Sequence, residues 1–244
     1  MDNIPHEVLQ QGGFIGPQFT GVFFFRDVFW RVTIPLVFGT RAVNAMDGLR
    51  MMPTEIKQRL CSRREAMREY LLLWADCFDY DIGFQGSRAI AAAGSFLGEM
   101  IESTERELNS TITDLCQQRP NSKAIHSARD ATERALKAYL AHHANLTAAR
   151  AKNQFGHRLD KLMQEVANHA PQSPLSEVAK DLGAFAPYDD RYSSTTYTRP
   201  QLWRAYRLSQ FTAAEVLRTI TGRNLRAAVQ CDPIFSGAPG KPIL

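Results

Sequence analysis

The sequence predicts an all-α protein, a multi-helix antiparallel bundle of about five to seven helices. Three observations support this fold class: apolar residues recur every three or four positions over most of the chain, sustained alternation of apolar and polar residues is scarce, and helix-breaking residues cluster between the periodic segments. Brief turns between long amphipathic helices favour antiparallel neighbours. We expect one irregular connection, rich in Pro, Ser and Thr, near residues 170–200.

The composition is typical of a globular protein. The 244 residues are 44% apolar and 22% charged, enough to bury a substantial core. A net charge of +4 is too small by itself to indicate nucleic-acid binding. Four cysteines lie far apart in the chain, which argues against a zinc knuckle or a disulfide scaffold. Since no secretory signal pattern is present either, we expect an intracellular protein in a reducing compartment, cytoplasmic or organellar matrix.

We expect a single helical domain over residues 1–244, divided into four parts. These are an aromatic-rich N-terminal segment (1–53), a main helical bundle (54–169), a linker or loop (170–200), and a basic C-terminal helix with a tail (201–244).

The helices are predicted from their caps and apolar stripes. Thr54 is a suitable N-cap for a helix of about 24 residues. Gly83 and Gly86 interrupt the pattern, and Ser87 can cap the helix that follows. A further pattern begins at Ser122 and extends beyond residue 160, as one helix or, from ordinary helix lengths, two.

The aromatic-rich segment fits two kinds of element. Residues 14–38 hold seven of the fourteen Phe residues. As a helix, the segment has an apolar stripe on one side and further apolar residues on the opposite side. The stripe consists of Phe25, Val28, Phe29, Val32 and Leu36. The opposite residues are Phe23, Trp30 and Ile34. As a strand, it places one set on a single face, namely Phe24, Val28, Trp30, Val32 and Ile34, with Arg26 as the exception.

The charges in this segment exclude a transmembrane helix, because Arg26, Asp27 and Arg31 interrupt the apolar run. Three interpretations remain for its two apolar sides: a core element between other helices, a surface covered by another subunit, or insertion into a membrane surface. The second interpretation predicts an interface formed by Phe23, Phe24, Trp30 and Ile34.

A second candidate surface lies on the C-terminal helix, which opens at Pro200. Arg204, Arg207 and Arg218 fall opposite its apolar sector, with Phe211 among them. These arginines can be solvated or paired within the chain, for example with the acidic run at 99–107. Alternatively, they can bind an acidic or phosphate-bearing partner, or a nucleic acid.

Motifs for catalysis are scarce. No Gly-x-Ser-x-Gly elbow, phosphate loop or dinucleotide fingerprint is present, so we name no catalytic residue and predict no cofactor. Asp76, Asp79 and Asp81 are spaced so that they could hold Mg²⁺ at a helix end, although solvated carboxylates are the simpler interpretation.

The sequence therefore favours a non-catalytic scaffold or accessory subunit, or a binding module, that acts through protein–protein assembly as a homo- or hetero-oligomer. The alternatives are a metal-dependent helical-bundle enzyme that uses the three aspartates and a nucleic-acid-binding protein that uses the C-terminal arginines.

Overall fold

The computed structural model describes residues 14–37 and 43–231, with side chains for 19–35 and 43–231. Two strands are followed by helices that we number in chain order. The strands are β1 (Phe14–Phe25) and β2 (Val28–Val37), and the helices are α1 (Thr54–Cys61), α2 (Arg64–Ile90), α3 (Phe96–Leu115), α4 (Ala124–His143), α5 (Leu159–His169), α6 (Arg199–Thr221) and α7 (Leu225–Cys231). The fold is mostly all-α, as predicted, with one small two-stranded sheet. Residues 1–13 and the predicted tail at 232–244 lie outside the described residues.

Short helical turns occupy the connections. A 3₁₀ turn, Ala45–Gly48, precedes α1, and two turns, Ala148–Arg150 and the π-helical Ala151–Phe155, link α4 to α5. The predicted irregular connection near 170–200 contains three short turns, Leu175–Val178, Ala179–Ala184 and Tyr188–Tyr192.

The aromatic-rich segment is a β-hairpin, so its helical interpretation is wrong and the strand alternative holds. The strands pair antiparallel, with Phe25 opposite Val28. The two turn residues, Arg26 and Asp27, have φ values of 54° and 59°. Positive φ at both positions is the pattern of a type I′ turn, whose twist matches the flanking strands. Asn-Gly is the usual sequence there, which explains why Arg-Asp gave no turn signal.

The hairpin turn also changes which residues share a face. Phe23 lies opposite Trp30, and Phe24 lies opposite Phe29. Since successive side chains of a strand point to opposite faces, Phe24 lies on the other face from Trp30 and Ile34. Of the five residues expected on one face, the four in β2 do share a face, namely Val28, Trp30, Val32 and Ile34. Phe24 lies on the other face.

Helix α2 continues through the glycines that were expected to interrupt it. A Cβ placed on Gly83 would lie 2.8 Å from Leu217 Cβ of α6. Gly83 therefore permits a close approach of two helices, a role that helical periodicity does not reveal.

The predicted cap at Ser87 is also displaced. Ser87 lies inside α2, where its hydroxyl donates to the Phe84 carbonyl at 2.7 Å. The cap of α3 is Ser95, whose Oγ accepts from Gly98 N at 3.2 Å. The predicted start of α1 at Thr54 is correct, but this helix ends at Cys61 and α2 begins anew at Arg64.

Helix α6 lies at the centre of the helical core and packs against both α2 and α4. Helices α3 and α4 are antiparallel neighbours, since Ser110 contacts Ser127 and Glu107 pairs with Arg134. In contrast, α2 and α6 run in the same direction, because Glu69 bonds Arg207 and, further along both helices, Asp79 bonds Arg218. The short connection between α3 and α4 makes these two helices antiparallel. The long passage that precedes α6 gives the chain room to return, so α6 can run parallel to α2.

No helix among the described residues is long and apolar enough to cross a membrane.

Candidate functional site

At Phe23 and Ile34 the hairpin is enclosed by the chain's own helices. Phe23 and Ile34 are both fully buried. The Phe23 ring lies 5.1 Å from that of Tyr70 on α2 and 5.9 Å from that of Trp203 on α6. Phe23 and Ile34 therefore belong to the core, as the first of the three interpretations predicts, and their assignment to an interface with another subunit is wrong.

The tip of the hairpin is different, because apolar residues on both faces remain partly exposed there, although Phe25 is buried. Val28 is 40% exposed, and Phe24, Phe29 and Trp30 are half-buried. The Phe24 and Phe29 rings lie 4.9 Å apart as a cross-strand pair. Together with Arg26, which is exposed at the turn, these four residues form what we call the hairpin-tip surface.

Basic residues surround the hairpin-tip surface. Arg26 and Arg31 are exposed on the hairpin, and Arg199 is exposed at the start of α6. Arg199 Nη1 donates to the carbonyl of Asp27, which joins the turn to α6. Within residues 14–37 and 43–231 no salt bridge is formed by Arg26, Arg31 or Arg199. The tip therefore combines aromatic side chains with guanidinium groups that form no salt bridge among the described residues, and the exposed Asp27 is the one carboxylate in the two-residue turn.

Two of the predicted C-terminal arginines pair with carboxylates of the same chain. Arg204 contacts Asp181, and Arg207 Nη1 lies 2.9 Å from Glu69 Oε1. These partners differ from the acidic run at 99–107, which the sequence suggested. Pairing within the chain, one of the two predicted alternatives, is what the structure contains at these positions.

Phe211 and Arg218 are buried, which corrects their expected exposure. They are 2% and 4% exposed, respectively. The guanidinium carbon of Arg226 lies over the Phe211 ring, 4.8 Å from the ring centroid. This residue of α7 covers the Phe211 ring, and three carboxylates surround the Arg218 guanidinium, so both side chains are occupied within the chain.

Arg218 is the centre of a buried charge cluster, formed by Asp76, Asp79, Glu215, Arg218 and Arg226. Arg218 Nε lies 2.7 Å from Asp79 Oδ2, its Nη2 lies 2.5 Å from Asp76 Oδ1, and its Nη1 lies 3.0 Å from Glu215 Oε2. Arg226 Nη1 lies 2.5 Å from Asp76 Oδ2. The cluster joins α2, α6 and α7. Burial alone would lower the pKa of Arg218, but the Asp76 and Asp79 carboxylates raise it overall, so this guanidinium stays charged.

Asp79 also binds the first turn of α7. Its Oδ1 accepts from Leu225 N at 2.8 Å, and its Oδ2 accepts from Arg226 N at 3.1 Å. These N–H groups have no partner within their own helix, so the carboxylate caps α7. The aspartates of α2 thus have a structural task. The sequence signal that could have revealed it is the matched three-residue spacing of Asp76/Asp79 and Glu215/Arg218.

Asp81 is separated from this cluster. The pKa of Asp81 is raised to about 6, mainly by burial. A hydrogen bond from Gln85 partly opposes this shift, and the charge of Glu105 adds to it. Asp76 and Asp79 are occupied by arginines and backbone N–H groups, so the three aspartates do not converge on one ion. Across the described ranges, no group of three or more His, Cys, Asp or Glu residues could hold a metal.

No match to this chain was found among protein-family models, curated proteins or solved structures.

Proposed function

We propose that the protein is a non-catalytic accessory or scaffold subunit that docks onto an acidic surface of a partner protein through its hairpin-tip surface. The observation that carries this proposal is the apolar tip itself, where Val28 is 40% exposed beside three half-buried aromatic side chains. Exposed apolar groups that cluster in this way usually mark interaction sites.

The composition of the tip supports a protein partner. Trp and Arg are among the residues most enriched at positions that dominate binding energy, and the tip presents both Trp30 and Arg26. The arginines of the rim favour an acidic partner, since they lack carboxylate partners within the described residues. Charge complementarity of this kind accelerates association and selects the partner. The arginines of α6 are a weaker alternative, because Arg204, Arg207 and Arg218 already pair within the chain.

Site-specific photo-crosslinking in the native host tests this function. A photoreactive phenylalanine analogue at Phe29 should form adducts with a protein that carries an acidic surface. The same analogue at Tyr192, which is 87% exposed but remote from the hairpin in sequence, is the matched control position. Adducts at Phe29 no more abundant than at Tyr192 would contradict the proposal. Adducts only with a second copy of the chain would contradict the acidic partner.

Charge reversal tests the role of the rim. Arg26→Glu should reduce the yield of the Phe29 adduct by about tenfold, and the wild-type yield should fall with added salt. Arg150→Glu, at an exposed arginine in the connection between α4 and α5, should leave the yield unchanged. Equal effects of the two substitutions would show that net charge, rather than the hairpin rim, governs binding.

A further inference from the structure

A histidine outside the surfaces described so far is held in one orientation by helix α4. Three polar residues spaced four apart on α4, Arg129, Glu133 and Lys137, face the loop that carries His157. Arg129 Nη2 donates to the His157 carbonyl at 2.6 Å, and Lys137 Nζ donates to the Gly156 carbonyl at 2.8 Å. The backbone on both sides of the imidazole is thus fastened to one helix.

The imidazole itself is oriented by Glu133. Its Nδ1 lies 3.2 and 3.3 Å from the two carboxylate oxygens, so Nδ1–H donates and Glu133 accepts. One face of the ring stacks on Tyr188, with centroids 4.4 Å apart and planes 13° from parallel. The His157 side chain is 58% exposed, whereas that of Glu133 is 3% exposed. The Nδ1 edge therefore faces the protein, and the Nε2 edge is left open to solvent.

We propose that His157 is a phosphoryl acceptor, modified at Nε2 by a donor with a good leaving group. The Nε2 lone pair attacks phosphorus, the bond from phosphorus to the leaving atom breaks, and that electron pair departs with the donor fragment. The ring keeps its Nδ1 proton, so the positive charge that forms on the imidazole lies against Glu133. A buried carboxylate stabilises this charge, as it does for other histidines that act as nucleophiles or bases. No oxidant or reductant is needed.

The surroundings favour the incoming negative charge. Three cations, Arg129, Lys137 and Arg191, are present against two carboxylates, Glu133 and Asp130. The guanidinium carbons of Arg129 and Arg191 lie 5.3 and 4.8 Å from the centroid of the Tyr188 ring that stacks on His157. Arg191 Nε is a buried donor without a hydrogen-bond partner among the residues described, and Arg129 Nη1 has only a 3.5 Å ion-pair contact with Glu133 Oε2. A phosphoryl group on His157 would thus lie close to two guanidinium groups that could donate to it.

The chain contains a matched internal control at His169. Its side chain is 40% exposed, similar to that of His157, and it also pairs with a glutamate. However, the contact joins Nε2 to Glu165 Oε1 at 3.5 Å, and Glu165 is 30% exposed. His169 therefore shares the accessibility and residue types of His157 without its buried carboxylate or its open Nε2.

The test incubates the full chain with phosphoramidate, a small donor whose phosphorus–nitrogen bond breaks to release ammonia. Labelling is followed by intact mass and by site mapping under alkaline conditions, which preserve phosphohistidine. His157 should be labelled about a hundredfold faster than His169, the low end for a positioned acid–base partner. Equal or slower labelling of His157 would overturn the proposal, whatever the variants show.

Two substitutions examine the role of the carboxylate. Glu133→Gln should lower the His157 rate to that of His169, whereas Glu165→Gln should leave the His157 rate unchanged. Circular dichroism checks that Glu133→Gln retains its helices. If this variant is unfolded, the comparison of the two histidines in the wild-type chain still decides. An unchanged His157 rate in a folded Glu133→Gln variant would contradict the assigned role of Glu133.

Discussion

At the scale of single residues, the positions with the strictest requirements are those where two elements come closest. Gly21 of β1 is one such position, because a Cβ there would lie 2.5 Å from Cys77 Sγ and 3.2 Å from Tyr206 Oη. Real Cβ atoms do not approach sulfur so closely, so any other residue at this position would force Cys77 or the hairpin to shift.

Gly21→Ala should therefore destabilise the protein by about 1–3 kcal/mol, the range measured for overpacked cores. Gly183→Ala is the matched control, since no atom lies within 4 Å of a Cβ at that position. Urea denaturation followed by circular dichroism measures both. A loss at Gly21 no larger than that at Gly183 would show that the hairpin can move away from α2 at little cost.

A second prediction at this scale concerns Asp81 and pH. The folded-state pKa of about 6 exceeds the ordinary value for aspartate, so the folded protein binds this proton more tightly than the unfolded chain. Ionisation thus costs stability that accumulates as the pH rises from about 4 to about 6 and is constant above that range. Asp81→Asn should raise the free energy of unfolding by about 1–3 kcal/mol at neutral pH and by little at pH values near 4.

Unfolding curves at several pH values check this. Asp160→Asn serves as the control, because Asp160 is exposed and its hydrogen bond from Arg158 lowers its pKa, the opposite direction. A stability gain in Asp81→Asn that does not depend on pH would argue that the carboxyl group is not the cause.

At the scale of secondary-structure elements, helix α7 is attached mainly through charged and polar contacts. Within α7, Arg226 is the buried residue, and it reaches Asp76, while Asp79 caps the first turn. Removing one member of such a cluster leaves the others buried without full compensation, which is far more costly than losing a surface pair.

Arg218→Met should accordingly cost about 3–5 kcal/mol and increase amide hydrogen exchange in residues 225–231. Arg204→Met, which breaks the half-exposed pair with Asp181, should cost less than about 1 kcal/mol. Chemical denaturation gives the two energies, and hydrogen exchange with mass spectrometry locates the change. Equal costs would mean that the cluster is no more important than a surface salt bridge.

At the scale of the whole molecule, a buried hydrogen bond joins the start of the chain to its last long helix. Val22 N donates to Tyr206 Oη at 3.0 Å, and the Tyr206 hydroxyl donates to Gln210 Oε1 at 3.3 Å. Burial raises the pKa of Tyr206 well above its ordinary value, so the hydroxyl keeps its proton. The hairpin and the helices also share one hydrophobic core. We therefore expect them to unfold together.

Tyr206→Phe should leave Val22 N–H buried without a partner, at a cost of about 1–3 kcal/mol. In a Trp74→Phe, Trp203→Phe background, where Trp30 of the hairpin is the remaining tryptophan, fluorescence reports the hairpin and far-ultraviolet circular dichroism reports the helices. Tyr206→Phe should shift the two transitions by the same amount. Tyr192→Phe, at a residue that is 87% exposed, should shift neither. A fluorescence transition that moves alone would show that the hairpin unfolds independently of the helices.

By itself, the sequence determined the helical class, the start of α1 at Thr54, the opening of α6 near Pro200 and the irregular passage between α5 and α6. These features depend on contacts within a few residues: apolar periodicity, caps and breakers. The sequence also offered salt bridges within the chain as one alternative for Arg204 and Arg207, but it did not identify the carboxylates that pair with them.

Only the tertiary structure decided the roles of the aromatic segment, Gly83 and Asp79. The hairpin is stabilised by its packing on α2 and α6, Gly83 is needed because Leu217 approaches it, and Asp79 caps a helix more than a hundred residues away. Each of these roles is defined by a contact partner far along the chain. Local propensity carries no information about such partners, because they are chosen by the packing of the complete fold.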